Sequence, residues 1–289
     1  MTLDQSLSIK IGKVEARIAL RGAELKSLQF AGREFLWQGD PAWWSYSAPL
    51  LFPVIGRLPD QKINHQGRTL HLPPHGFARD LLFTVEDAGP THAELSLRAS
   101  PATLNVYPFI FELRVQFQIV DDGLYQNVRV ANAGAEVMPA SFGFHPAFCW
   151  PVRQSLRAGH SVRFTHPESS EAYRVDKTGY LVPTTLHSDV HARTLLLDDA
   201  LFGQGAIVIN PVASTGLEYR DQDGRLLAIE WSGCRQLGIW TLPGAPFICF
   251  EPWYGHPSPC DFNGELSEKP GGFLLEPGQA KAFQLSVTF

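Results

Sequence analysis

The chain has 289 residues, 44% of them hydrophobic, and a formal net charge of −5. That much apolar side chain buries a large core, while an acidic balance with no basic run to track a phosphate backbone excludes nucleic acid from the expected partners. The opening residues lack a basic segment followed by an apolar core, and no apolar run is long enough to span a bilayer, so a cytoplasmic protein with no membrane partner is expected.

Along the chain the apolar period is that of strands. Leu7, Ile9 and Ile11 alternate with polar residues, and Val14 to Leu20 and Leu25 to Leu36 do the same around Gly22 and Gly32. From Trp37 to Pro53 neither period holds. Trp37, Trp43, Trp44, Tyr46 and Phe52 crowd there among prolines, which predicts a loop with aromatic walls. His65-Gln66-Gly67 predicts a hairpin turn. Phe109, Phe111, Leu113, Val115, Phe117 and Ile119 form the clearest alternation, turning at Asp121-Asp122-Gly123 into a return strand over Leu124 to Val130. That strand feeds the stretch Met138 to Pro151 and predicts His145 just beyond a sheet edge. Residues 152 to 200 read as polar loops between weak strands. Asp221-Gln222-Asp223-Gly224 marks another hairpin, Leu237 to Trp240 a buried strand, and Pro277-Gly278 a last hairpin between Gly271 to Leu275 and Ala282 to Phe289. With no repeat, low-complexity tract or linker, one domain over residues 1–289 is expected.

Three stretches carry candidate chemistry. In Phe142-Gly143-Phe144-His145-Pro146 the proline restricts His145 to extended backbone, Gly143 leaves room for close approach, and the aromatic neighbours suit a sugar; a core histidine bonded to a carbonyl is the plainer alternative. Arg57 and His75 lie in Pro- and Gly-rich loops, where an arginine fork suits hydroxyl oxygens; Arg79 and Asp80 next to them read as a bracing salt bridge. Glu251 follows four apolar residues, so its carboxylate needs a partner or its proton affinity rises. A structural ion pair and a catalytic carboxylate both satisfy that requirement. Asp198 and Asp199 end an apolar run as a turn or helix cap, with one acid left free to face a ligand. The four cysteines (Cys149, Cys234, Cys249 and Cys260) lack the spacing of a zinc ribbon or a redox motif and read as reduced thiols. A histidine metal centre at His75 and His145 has no closely spaced ligand motif behind it, so no metal is expected.

Taken together, Gly22-Ala23-Glu24-Leu25, Ala48-Pro49-Leu50-Leu51-Phe52-Pro53, His75-Gly76-Phe77-Ala78-Arg79-Asp80, Phe144-His145-Pro146-Ala147-Phe148, Glu251-Pro252-Trp253-Tyr254-Gly255 and Leu275-Glu276-Pro277-Gly278 span nearly the whole length. In that order the chain resembles the aldose 1-epimerase (galactose mutarotase-like) family, most closely its LacX-like branch. The resemblance implies an all-β antiparallel supersandwich with few short helices, and interconversion of the α and β anomers of a free sugar substrate without a cofactor. It also implies Glu251 as general base, ionised near its usual pKa, His145 as general acid in its imidazolium form, and His75, Arg57 and Asp198 as sugar-binding residues, with Asp199 as the alternative to Asp198. The chain departs from the galactose mutarotases after Arg57, where Leu58-Pro59-Asp60 stands in place of an asparagine-arginine continuation. Two other functions fit the same fold. A hexose-6-phosphate epimerase needs a cationic pocket, with Arg57, Arg79 and Arg235 as candidates, and a carbohydrate-binding protein without turnover needs no acid and base pair.

Overall fold

A computed structural model describes residues 5–152, 156–185 and 193–289. Strand alternation becomes hairpins where the turn chemistry allows it. Phe111–Val120 buries Phe111, Leu113, Val115, Phe117 and Ile119 on one face and pairs with Gly123–Asn132, Val120 facing Gly123 across Asp121-Asp122. Lys62–His65 and Arg68–His71 pair across Gln66-Gly67, both in left-handed conformation at φ 48° and 75°, the combination a two-residue turn between right-twisted strands requires. Gly216–Asp221 and Gly224–Ser232 pair in the same way around Gln222-Asp223. The single α-helix among the described residues, Pro101–Val106, is capped by Ser100 and has proline at its start.

Two large antiparallel sheets dominate the described residues, beside a four-stranded and two two-stranded sheets. In the nine-stranded sheet the order runs Thr194–Leu196, Ser161–Phe164, Gly216–Asp221, Gly224–Ser232, Ala280–Thr288, Gly123–Asn132, Phe111–Val120, His92–Arg98, Thr84–Ala88. The second sheet runs Leu181–Thr185, Glu171–Val175, Ala206–Ile209, Gln236–Trp240, Phe247–Tyr254, Phe142–Phe144, Leu50–Leu51, with Ala147–Cys149 also paired to Phe247–Tyr254. Aromatic contacts join their inner faces: Phe142 against Phe283 at 4.6 Å between ring centroids, and Tyr219 against Phe250 at 5.4 Å. The expected antiparallel β-supersandwich is therefore the observed architecture. No described helix is long and apolar enough to cross a membrane.

Two expectations about connection are corrected. Phe273–Leu275 and Ala280–Thr288 do not form a closing hairpin: the first pairs with Met138–Ala140, the second with Gly123–Asn132 and Gly224–Ser232. The Asn132 side chain is the local cause, donating to the Glu136 and Leu275 carbonyls at 2.7 and 2.8 Å and so holding the chain where it changes sheets. His145 does not lie beyond a sheet edge either. It interrupts the strand neighbour of Phe247–Tyr254, between Phe142–Phe144 and Ala147–Cys149.

That interruption keeps register. Gly143 faces Trp253 before it and Ala147 faces Cys249 after it, so His145 and Glu251 occupy facing positions of one ladder, with side chains on the same side of the sheet. Gly143 also makes room: a Cβ there would lie 2.4 Å from Trp253 Cδ1, and one at Gly238, on the opposite flank, 2.7 Å from Trp253 Cη2. The Trp253 indole thus spans two glycines whose missing side chains set its place. Gly143→Ala is expected to lower unfolding stability by about 1–3 kcal/mol through overpacking, measured by denaturant unfolding; an unchanged midpoint would show that the indole moves aside freely.

Candidate active site

The Phe247–Tyr254 strand is buried along almost its full length, and only its neighbours decide which side chains find an opening. Glu251, 1% exposed, points at a cavity of about 420 Å³, within the roughly 300–1,000 Å³ usual for small-molecule sites. His145 faces it from the paired strand with Nε2 3.1 Å from Glu251 Oε2. The contact is close but not aligned as a hydrogen bond, since Glu251 Oε2 and His145 Nδ1 are both buried with no hydrogen-bond partner among the described residues.

Aromatic and imidazole rings enclose His145. Trp44 stacks on it at 4.7 Å, Trp240 meets it edge-on at 5.7 Å, and His75 meets it edge-on at 5.6 Å. Trp44 comes from the loop predicted to have aromatic walls, and the Trp37 indole N–H donates to its carbonyl at 2.8 Å, which holds that loop over the site. His75 sits in left-handed backbone at φ 68° followed by Gly76 at 73°, a strained turn stabilised by His75 N–H donating to the Gly56 carbonyl at 3.0 Å. The Gly56 N–H in turn donates to His75 Nδ1 at 3.3 Å, leaving the other ring nitrogen for the cavity.

Burial sets the protonation states. It pushes the Glu251 carboxyl well above the usual carboxylate range, an effect the adjacent Trp253 indole offsets only in part. Burial, with His75 and Arg79 nearby, pushes the His145 imidazole well below its ordinary value. Both shifts favour neutral side chains, and this corrects the expectation of a carboxylate at its usual pKa beside a stable imidazolium. The two groups are close enough to titrate as one unit. His75 is pushed down to about 3 by burial and by the charges of Arg79 and Lys269.

Cationic side chains occupy the rest of the wall. Arg57 lines the cavity and donates to the Thr178 carbonyl at 3.0 Å, tying the Asp176 to Gly179 turn over the opening. Arg79 also lines it, with Nη2 donating to the Pro74 carbonyl at 2.8 Å, its guanidinium over the Tyr46 ring, and Nε buried without a hydrogen-bond partner among the described residues. Its contact with Asp80 is long at 3.7 Å, so the predicted loop brace leaves most of the arginine to the cavity. Lys177 completes the set. Arg235 does not line the cavity; it stacks on Tyr254.

Asp198 is not brought to this site. Its carboxylate accepts from Leu201 N–H at 2.9 Å, and Asp199 pairs with Arg157 at 2.7 Å and accepts from Gly244 N–H, so the expected sugar-binding role of Asp198 is corrected to a turn cap. Sequence reasoning missed Trp240, Lys177 and the Asp176-Lys177-Thr178-Gly179 turn. The turn was legible as a turn, from Asp176 Oδ1 accepting the Thr178 N–H at 2.9 Å, but nothing local says that it folds over a cavity.

The comparisons with known proteins concern the whole chain. The family model described as aldose 1-epimerase matches residues 5–274. The plasmid-encoded LacX protein of Lactococcus lactis is 30% identical over 268 residues, 86% of this chain and 87% of the relative. A galactose mutarotase related enzyme from Lactobacillus acidophilus superposes with a TM-score of 0.90 at 27% identity, covering 98% of this chain and 97% of the other. A galactose mutarotase-like protein from Lactobacillus casei gives the same TM-score and identity over 98% and 99%. With matching sequence over nearly its whole length and matching fold at both sheets, the chain belongs to the aldose 1-epimerase family.

Proposed function

We propose that this protein is an aldose 1-epimerase that interconverts the α and β anomers of a free hexose through the Glu251 and His145 pair. The observation that carries the reading is this carboxyl and imidazole, 3.1 Å apart and buried at the floor of a sugar-sized cavity, where they can carry one proton between them. A sugar hydroxyl donating to Glu251 supplies the hydrogen bond its carboxylate lacks, which favours the anion and moves the shared proton to His145. Glu251 then takes the proton of the C1 hydroxyl while His145 gives its proton to the ring oxygen. The C1–ring-oxygen bond breaks and an open-chain aldehyde forms. Rotation about C1–C2 presents the other carbonyl face, and the two transfers run backwards. The pair holds one proton before and after each transfer, so no exchange with solvent is needed within the cycle.

The remaining residues would orient the sugar. Trp44 and Trp240 offer flat faces to its C–H surface, neutral His75 donates from Nε2 at the reacting oxygens, and Arg57 bonds hydroxyl groups. A second reading rests on a specific observation: Arg57, Arg79 and Lys177 line the cavity against two acids among the described residues, Asp176 and a Glu251 whose burial pushes it towards the neutral form. That balance favours an anionic sugar such as a hexose 6-phosphate.

Polarimetry of freshly dissolved α-D-glucose and α-D-galactose at low temperature tests the first reading. Wild type accelerates mutarotation, and Glu251→Gln and His145→Asn each lose on the order of a hundredfold or more; unaltered rates in either variant would remove that residue from the mechanism. Should kcat/KM for glucose 6-phosphate exceed that for glucose, and fall by tenfold or more in Arg79→Met, the anionic substrate replaces the neutral one. The depressed His75 value also makes stability depend on pH. Between its ordinary value and about 3 the unfolded chain binds a proton that the native state does not, so this contribution is complete above roughly pH 6.5 and is lost as pH falls towards about 3. The melting temperature is therefore expected to fall with acidification below neutrality, and less steeply in His75→Gln; equal slopes would mean that His75 is not held neutral.

A further inference from the structure

Cys249 has no part in the chemistry above, yet it stands beside it. It lies two residues before Glu251 on one strand, so both side chains leave the same face, and its ladder partner is Ala147, two residues after His145. The sulfur, a Glu251 oxygen and a His145 ring nitrogen all lie within 4.8 Å of one another, and the three residues are buried. We propose that Cys249, His145 and Glu251 form a three-ligand site for a thiophilic divalent cation of the Zn²⁺ type, which shuts down the acid and base pair when it binds.

The donor set supports that chemistry. Zinc takes thiolate, imidazole and carboxylate at about 2.0–2.3 Å in tetrahedral array, which places donor atoms roughly 3.3–3.7 Å apart. The 3.1 Å between His145 Nε2 and Glu251 Oε2 is within about 0.2 Å of that spacing, and rotation of the Cys249 side chain brings in the third donor from within 4.8 Å. Thiolate and carboxylate together neutralise a divalent ion in a site that water does not screen, whereas hard Mg²⁺ and Ca²⁺ prefer all-oxygen shells. A second observation points to a ligand: Glu251 Oε2 is nine-tenths buried or more, faces this cluster and has no hydrogen-bond partner among the described residues. The fourth coordination position faces the cavity, where water or a sugar hydroxyl completes the tetrahedron. Binding releases the thiol proton to solvent and occupies the carboxylate and the ring nitrogen that the proposed reaction needs, so the ion acts as an inhibitor and not as a cofactor.

The test uses the full chain with Co²⁺ as a spectroscopic stand-in. Wild type is expected to bind one equivalent with the intense near-ultraviolet band of a thiolate–cobalt bond and the visible bands of tetrahedral geometry, both erased by added Zn²⁺. Cys249→Ala, or Cys249→Ser where the smaller side chain impairs folding, loses the thiolate band, while Cys260→Ser, which alters an exposed cysteine, keeps it. In the polarimetric assay Zn²⁺ inhibits wild type, Mg²⁺ does not, and Cys249→Ala requires at least tenfold more Zn²⁺ for the same inhibition. A cobalt complex with no thiolate band, or a band that survives in both Cys249 variants, overturns the proposal. The inference goes beyond the mutarotase reading, and the spectrum decides it even if the protein turns over no sugar.

Discussion

The close approach of a buried carboxyl to a buried imidazole, Glu251 Oε2 to His145 Nε2 at 3.1 Å, is the constraint on which the site depends. Taking either charge alone out of water is costly, and the usual remedies of a full set of hydrogen bonds or an arginine partner are missing at Glu251. What remains is for burial to push both groups towards their neutral forms. The sheet enforces the proximity, because Gly143 facing Trp253 and Ala147 facing Cys249 leave no register other than His145 opposite Glu251. A one-residue slip would send one partner to the other face of the sheet and dissolve the pair.

Around that pair the walls divide by chemistry. Trp44, Trp240 and Trp253 surround the floor with apolar surface, which lowers the local polarity and strengthens polar interactions at the centre. Arg57, Arg79 and Lys177 sit on loops towards the opening, and the Arg79 charge helps keep both His75 and His145 neutral. A further cation lies behind the wall. Lys269 is buried, donates to the His256 carbonyl at 2.6 Å and is pushed down to about 7 by burial. It holds the turn whose Pro257 packs against Gly56, the residue that bonds the backbone and ring of His75. The chain of contacts runs from a turn near residue 269 to the cavity wall without touching the reacting groups.

Several readings failed for one kind of reason. The apolar run ending in Asp198 and Asp199 placed an acid correctly at a turn but could not say where the turn points, and Asp198 caps Leu201 outside the cavity. Pro277-Gly278 marks a true turn, yet the strands on either side join different sheets because Asn132, more than 140 positions from Leu275, bonds that carbonyl. Arg79 does pair with Asp80, at 3.7 Å, while the folded chain also gives the guanidinium Tyr46 and the Pro74 carbonyl. In each case the local geometry was legible and the distant partner was not.

What the sequence determined by itself is therefore the set of strands, the tight turns, and the unusual character of His145 and Glu251. Side-chain alternation and turn residues act over a few positions, and a carboxyl in an apolar run or a histidine locked by proline stands out within a short window. Only the tertiary structure decided that these two residues face one another, that Trp44, Trp240 and Lys177 join them, and that their proton affinities move towards the neutral forms. Desolvation and ladder register are properties of the assembled sheets, set by residues a hundred positions apart, and neither exists until the chain has folded.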